Sequence, residues 1–235
     1  IAQKTTELCD SFDTSCGRFE CLHGMGHGIL AYGNYDLPKA IAVCGELGSD
    51  YNKNSCIGGM FMENIVTGQG LGAGNYHETT WVNRADPHFP CNAIDPNYDL
   101  QYQCYQMQTS WMLYLFNYDF NRVKEKCPKA RPDMVPVCFK SFGRDAAGHT
   151  LRNVPKIIEI CGKIIDNDQY YGQCVIGAVN VIIDFWGGGL SGQATELCKA
   201  LPEKGKTACY STLGGRLNDV FKTDSEKKLI CGGFE

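Results

Sequence analysis

The chain of 235 residues is 43% hydrophobic and 20% charged, the composition of a folded protein with room for a substantial core. Its formal net charge of −4 argues against a surface built for nucleic acid. Fourteen cysteines without one Cys-x-x-Cys exclude zinc ribbons, thioredoxin-type motifs and c-type haem attachment, and their even number at regular spacing points to disulfides and an oxidising compartment.

Ile1 opens directly into a polar helix-like run, as expected of a chain whose leader has been removed. The stretch from Cys21 to Cys56 then shows the unit from which the chain is built. A helix-like run starts at Cys21 and turns at Gly33-Asn34. A second run starts at Asp36-Leu37-Pro38 and ends at Cys44, and a polar loop leads to Cys56. Six cysteine pairs repeat this arrangement: Cys9 with Cys21, Cys44 with Cys56, Cys91 with Cys104, Cys127 with Cys138, Cys161 with Cys174, and Cys198 with Cys209. Successive first members are 35, 47, 36, 34 and 37 residues apart, a period characteristic of helical-hairpin arrays. Residue matches support the register. Leu37-Pro38-Lys39 before Cys44 aligns with Val154-Pro155-Lys156 before Cys161, and Thr6-Glu7-Leu8-Cys9 aligns with Thr195-Glu196-Leu197-Cys198. Proline suits a first helical turn, where its missing N–H would have no partner anyway.

Each repeat therefore reads as a helix A that begins at a cysteine and a helix B that ends at one. One, four and eight residues after the first cysteine of each helix A the chain is mostly apolar: Leu22, Met25 and Ile29 in the first repeat, Phe139, Phe142 and Ala146 in the fourth. That spacing marks a buried helical face. Asn64 and Gln108 are its polar exceptions. Three residues after the cysteine, mostly small residues such as Gly24, Gly59, Ser141 and Gly177 suggest close passage of a neighbouring helix. Two and six after it, polar residues such as His23, His27, Gln106, Ser110, Lys140 and Arg144 form a solvent face or a groove lining. The end of each helix B then faces the start of the next helix A across a short loop, so each pair is expected to form a disulfide worth about 2–4 kcal/mol. Cys16 and Cys231 remain, near opposite ends. They pair either within the chain, closing the array or folding back its tail, or between chains, joining molecules head to tail.

The period, the Lys39-Ala40 of a helix B that ends at Cys44, and the glycine at the hairpin turn resemble tetratricopeptide-like repeats of the cysteine-stapled secreted type. The resemblance covers nearly the whole chain. It implies an all-α solenoid of six hairpins, open or closed on itself, with a concave binding face, as a single helical-repeat domain over residues 1–235.

The second repeat is longest. A glycine-rich insertion over about 68–90 includes Gly68, Gly70, Gly72 and Gly74 and reads as a close-approach loop or a solvated insertion. The sharpest chemical motif is His23-Gly24-Met25-Gly26-His27-Gly28. On a helix the two histidines share a face at a spacing that can chelate a metal. Glu63 of the next repeat stands near them in register, and His77, Glu78 and His88 are further ligand candidates. The metal would be zinc or copper, copper being favoured if Met25, Met60 or Met62 takes part, although Met25 and Met60 fall on the core stripe. The alternative is that both histidines are ordinary surface residues and the glycines serve helix contact alone. His149 follows Arg144-Asp145, where a structural salt bridge between Arg144 and an acidic neighbour is expected. Gly205-Lys206-Thr207 lacks the rest of a phosphate loop, no Gly-x-Ser-x-Gly is present, and no haem or nucleotide is expected. The longest apolar run, 175–186, holds Asn180 and Asp184 and is too short for a membrane span.

These features point to an extracytoplasmic protein acting in binding or assembly, its partner a protein, a glycan or another copy of itself. The other reading is a metal-assisted hydrolase or carbohydrate lyase with a pocket around His23, His27, Glu63 and Asn64. Whether the chain is an enzyme stays open at this point.

Overall fold

The computed structural model describes residues 1–71, 78–184, 191–220, 223–225 and 228. Among them the fold is all-α, with eleven helices and no strand. They are α1 (Ala2–Cys9), α2 (Ser15–Tyr32), α3 (Leu37–Gly45), α4 (Asp50–Gly68), α5 (Tyr98–Leu115), α6 (Phe120–Lys124), α7 (Val135–His149), α8 (Val154–Gly162), α9 (Asp168–Asp184), α10 (Ser191–Ala200) and α11 (Glu203–Val220). The chain groups into two compact units, Ile1–Tyr118 and Asp119–Glu235. In the first, the A helices pack in order, α2 on α4 and α4 on α5. In the second, α7 packs on α9 and α9 on α11.

All six expected disulfides are formed, with Cα–Cα distances of 5.4–5.7 Å. The staples do not sit at the start of helix A, however. Cys21 lies well inside α2, and Cys56 inside α4. In the first three repeats polar residues ahead of the cysteine begin the helix instead, whereas α7 starts at Val135 without a side-chain cap. Thr14 and Ser49 accept hydrogen bonds from the backbone N–H of Gly17 and Asn52, at 3.0 and 3.2 Å, and Asn97 caps α5 through Leu100 at 3.1 Å. Side-chain caps of this kind satisfy amides that a helix start leaves unpaired, so the helix begins where the cap stands. The third repeat differs again. Cys91 lies in a run of turns within 81–94, and among the described residues no helix B precedes α5. Cys127 opens a three-residue 3-10 helix, Cys127–Lys129.

The apolar stripe is the core. All of its positions are buried except Met25, Ile29 and Tyr210, which are half-buried and belong to the first and last A helices. Its two polar exceptions are also buried, at 0% for Asn64 and 1% for Gln108. They hold the described part of the insertion against the helices. The Asn64 amide donates to the Trp81 carbonyl at 2.7 Å and accepts from Thr79 Oγ1 at 2.6 Å. Gln108 Nε2 donates to the carbonyls of Pro87 and Phe89 at 2.8 and 2.9 Å, and Trp111 Nε1 donates to that of Asn83 at 3.2 Å.

Three turns from helix A to helix B share one conformation. Asn34-Tyr35, Asn117-Tyr118 and Leu151-Arg152 each place two consecutive residues at positive φ, between 51° and 62°. In each, the second residue's amide donates to the carbonyl five residues back, as Tyr35 does to Leu30 at 3.0 Å. The expected turn glycine, Gly33, lies at φ −83° and caps α2 without using its left-handed freedom. Trp186-Gly187-Gly188-Gly189, which the sequence marks as the hairpin turn expected in the fifth repeat, and Cys231, with its expected pairing to Cys16, lie outside the described residues.

Candidate functional site

α2 and α4 cross with their backbones in contact. A Cβ added to Gly26 would lie 2.0 Å from the Cys56 carbonyl oxygen, and one on Gly59 would lie 1.9 Å from that of His23. The second unit repeats the crossing at the same register. There a Cβ on Gly143 would lie 1.8 Å from the Cys174 oxygen, and one on Gly177 1.9 Å from the Lys140 oxygen. Gly26 and Gly143 stand five residues after their cysteines, a position at which the sequence reading sought no small residues. Gly24 and Gly28 face open space, so the crossing does not require them.

This contact brings His23 and His27 of α2 beside Met62 and Glu63 of α4. His23 Nε2 lies 3.4 Å from Met62 Sδ, and His27 Nδ1 lies 2.9 Å from Glu63 Oε2. The two imidazoles face each other edge-on, with centroids 5.1 Å apart. Phe19 lies over His23 at 5.3 Å. Gly58 lies beside the His23 ring, and a Cβ there would make ordinary contact with His23 Nδ1 at 3.6 Å and a tighter one with the end of the Gln103 side chain at 3.3 Å.

Glu63 is held from a second side. Its Oε1 accepts from the Tyr35 hydroxyl at 2.8 Å, and that hydroxyl accepts from Thr67 Oγ1 at 2.9 Å. Tyr35, the second residue of the double left-handed turn, is buried at 5% exposure beside α4. Burial opposes ionisation of the Glu63 carboxyl, but hydrogen bonds from His27 and Tyr35 and the charge of His27 outweigh it and hold its pKa below the usual range. Burial and the neighbouring carboxylate raise the pKa of the Tyr35 hydroxyl, while its bond with Thr67 opposes the shift. An ionised carboxylate only accepts, so the proton between His27 and Glu63 belongs to His27 Nδ1. In the neutral ring, Nε2 then carries the lone pair.

The second unit serves as an internal comparison. In the equivalent crossing Lys140 and Arg144 occupy the histidine positions, and Asn180 and Val181 those of Met62 and Glu63. The crossing therefore needs the glycines but not the histidines, the methionine or the carboxylate.

The other candidates stand apart from this cluster. His88 is buried, with Nδ1 3.3 Å from the Tyr105 hydroxyl, and Glu78 is exposed. His77 lies outside the described residues. His149 is exposed, and Arg144 pairs with Asp145 at 2.6 Å as expected. The Asn64 amide is committed to the insertion at both ends, so it is not a free polar group for chemistry. Among the described residues no group of three or more His, Cys, Asp or Glu is placed to hold a metal ion. No described helix is long and apolar enough to cross a membrane. Tyr35 is the cluster member that sequence reasoning did not place there; Met62 was named as a possible sulfur ligand but not set in register with the histidines. Met62 stands six residues after Cys56, on the polar stripe, and that was its available signal. Compared with protein-family models, curated proteins and solved structures, the chain matches none of them.

Proposed function

We propose that this disulfide-stapled helical protein is an extracytoplasmic binding or assembly module, of tetratricopeptide-like organisation, whose binding face is centred on His23 and His27. One observation carries the reading. The first unit sets two histidines, a methionine and a carboxylate on a crossing that the second unit builds without them. Side chains that packing does not demand, gathered on a partly exposed face, are what a binding site requires. The ligand is a transition metal, zinc or copper, and it acts either as the cargo or as a bridge to a protein or glycan partner. Metal analysis of untreated protein tests this. About one equivalent of metal is expected, and His23→Ala and His27→Ala should each abolish it; absence of metal that also fails to bind on addition rejects the reading.

The His27–Glu63 pair favours a second reading, a hydrolase or lyase. A carboxylate that fixes the imidazole tautomer and leaves Nε2 available is the arrangement of a general base. Turnover of ester or acidic polysaccharide substrates, lost in His27→Gln and retained in His149→Gln, would select it over the binding role.

A further inference from the structure

We propose that His23 Nε2, Met62 Sδ and His27 Nε2 form a three-ligand site for a soft monovalent cation, copper(I), with Glu63 orienting His27 and not ligating. The proposal rests on the reading that this face binds a metal, and it names which metal and which ligands.

Nitrogen and sulfur ligands sharing one ion, at about 2.0 and 2.3 Å from it in tetrahedral geometry, stand about 3.5 Å from each other. His23 Nε2 and Met62 Sδ are 3.4 Å apart, so an ion needs little movement of either. His27 lies one helical turn from His23, with its ring 5.1 Å away. Its Nδ1 is committed to Glu63, which leaves Nε2 as the donor atom. Carboxylate–imidazole pairs of this kind fix tautomer and ring orientation at metal centres. Glu63 is itself engaged by Tyr35 as well as His27, which suits a supporting group better than a ligand. The sulfur sets the selectivity. A thioether is a soft ligand that favours copper(I), and carboxylate-free ligation disfavours hard divalent ions. Met62 is 37% exposed on a stripe that is mostly polar, so it does not fill the core.

The test is titration of the full-length, disulfide-intact protein with copper(I) supplied as its bicinchoninate complex, beside a parallel zinc(II) titration against a chromophoric chelator. One equivalent of copper(I) is expected, with an X-ray absorption signal for one sulfur at about 2.3 Å. Met62→Leu should weaken copper(I) at least about tenfold and leave zinc(II) unchanged, while Glu63→Gln should weaken both by about 10–100-fold. An unchanged melting temperature for Met62→Leu establishes that its effect is local. Copper(I) bound equally by Met62→Leu, or bound without a sulfur signal, overturns the proposal; zinc(II) uptake that still depends on His23 and His27 would then leave the broader reading standing. Failure to take up either ion overturns both.

Discussion

Gly24 and Gly26 lie two residues apart on α2, yet only Gly26 faces another backbone. Gly26→Ala must push α4 away from its contact at the Cys56 carbonyl, and overpacking of that kind costs about 1–3 kcal/mol or more. Gly24→Ala meets nothing and should stabilise the helix by about 1 kcal/mol. Urea denaturation of the two variants should therefore move midpoints in opposite directions. Glu63 supplies a second outcome at this scale. Its folded pKa is depressed below the ordinary carboxyl value of 4.5, so its stabilising effect is fully present above that value and is lost as pH falls through the lower folded one. Thermal melts from pH 7 down to pH 3 should show a decline in the parent that is shallower in Glu63→Gln. Tyr35→Phe removes one of the hydrogen bonds that favour the carboxylate, so it should shift the decline toward higher pH. Identical profiles for all three proteins would dismiss the pairing as a source of stability.

At the scale of the elements, the three A-to-B turns use left-handed residues where no glycine stands. Leu151 is the least suited of them, at φ 53° and 77% exposed. Left-handed backbone costs an ordinary residue about 1–2 kcal/mol, so Leu151→Gly should gain up to about 1 kcal/mol while forfeiting little burial. A lowered melting temperature would show that the leucine is needed for contacts beyond its backbone. These turns also mark where the sequence stopped being readable. Gly33-Asn34 pointed to the right place but the wrong residue, because Asn and Tyr carry the positive φ while the helix cap needs only the N–H of Gly33. The apolar stripe, by contrast, was legible at once, since burial on one helical face imposes a period on the residues themselves. Its exceptions carried more information than its members. Asn64 and Gln108 looked like gaps in a core pattern and are instead the buried amides that satisfy the backbone of the insertion. Helix starts were misplaced by several residues because the cysteines are conspicuous and the caps Thr14, Ser49 and Asn97 are not. The His23–His27 face was visible from the i, i+4 spacing. Its partners across the crossing were only half visible, because inter-helix contact depends on the crossing that Gly26 and Gly59 permit, and the +5 position of Gly26 is not a stripe in every repeat.

For the molecule as a whole, the decisive property is that every resolved disulfide is local. Each joins cysteines 11 to 13 residues apart. None of these six bridges ties distant parts of the chain together, so they do not define a topology; they stiffen one junction at a time, as suits an array whose elements touch mainly their neighbours. The A helices provide the core and the bridges provide register, which is why spacing alone revealed the pairing. It follows that removing a single bridge should be a graded local loss. For Cys44–Cys56, a loop of this length gives about 3 kcal/mol by the chain-entropy estimate. The paired Cys44→Ala and Cys56→Ala variant should therefore still fold, with lower stability. Its added amide hydrogen exchange should concentrate in α3 and the first turns of α4, where the bridge fixes one helix against the other. Since Met62 and Glu63 lie later on the same helix, beyond the Gly59 contact, the metal affinity proposed for the His23 face should fall much less than global stability does. A variant that lost metal binding in full while its helices stayed protected would mean that the bridge positions the site directly, and that the glycine crossing alone does not.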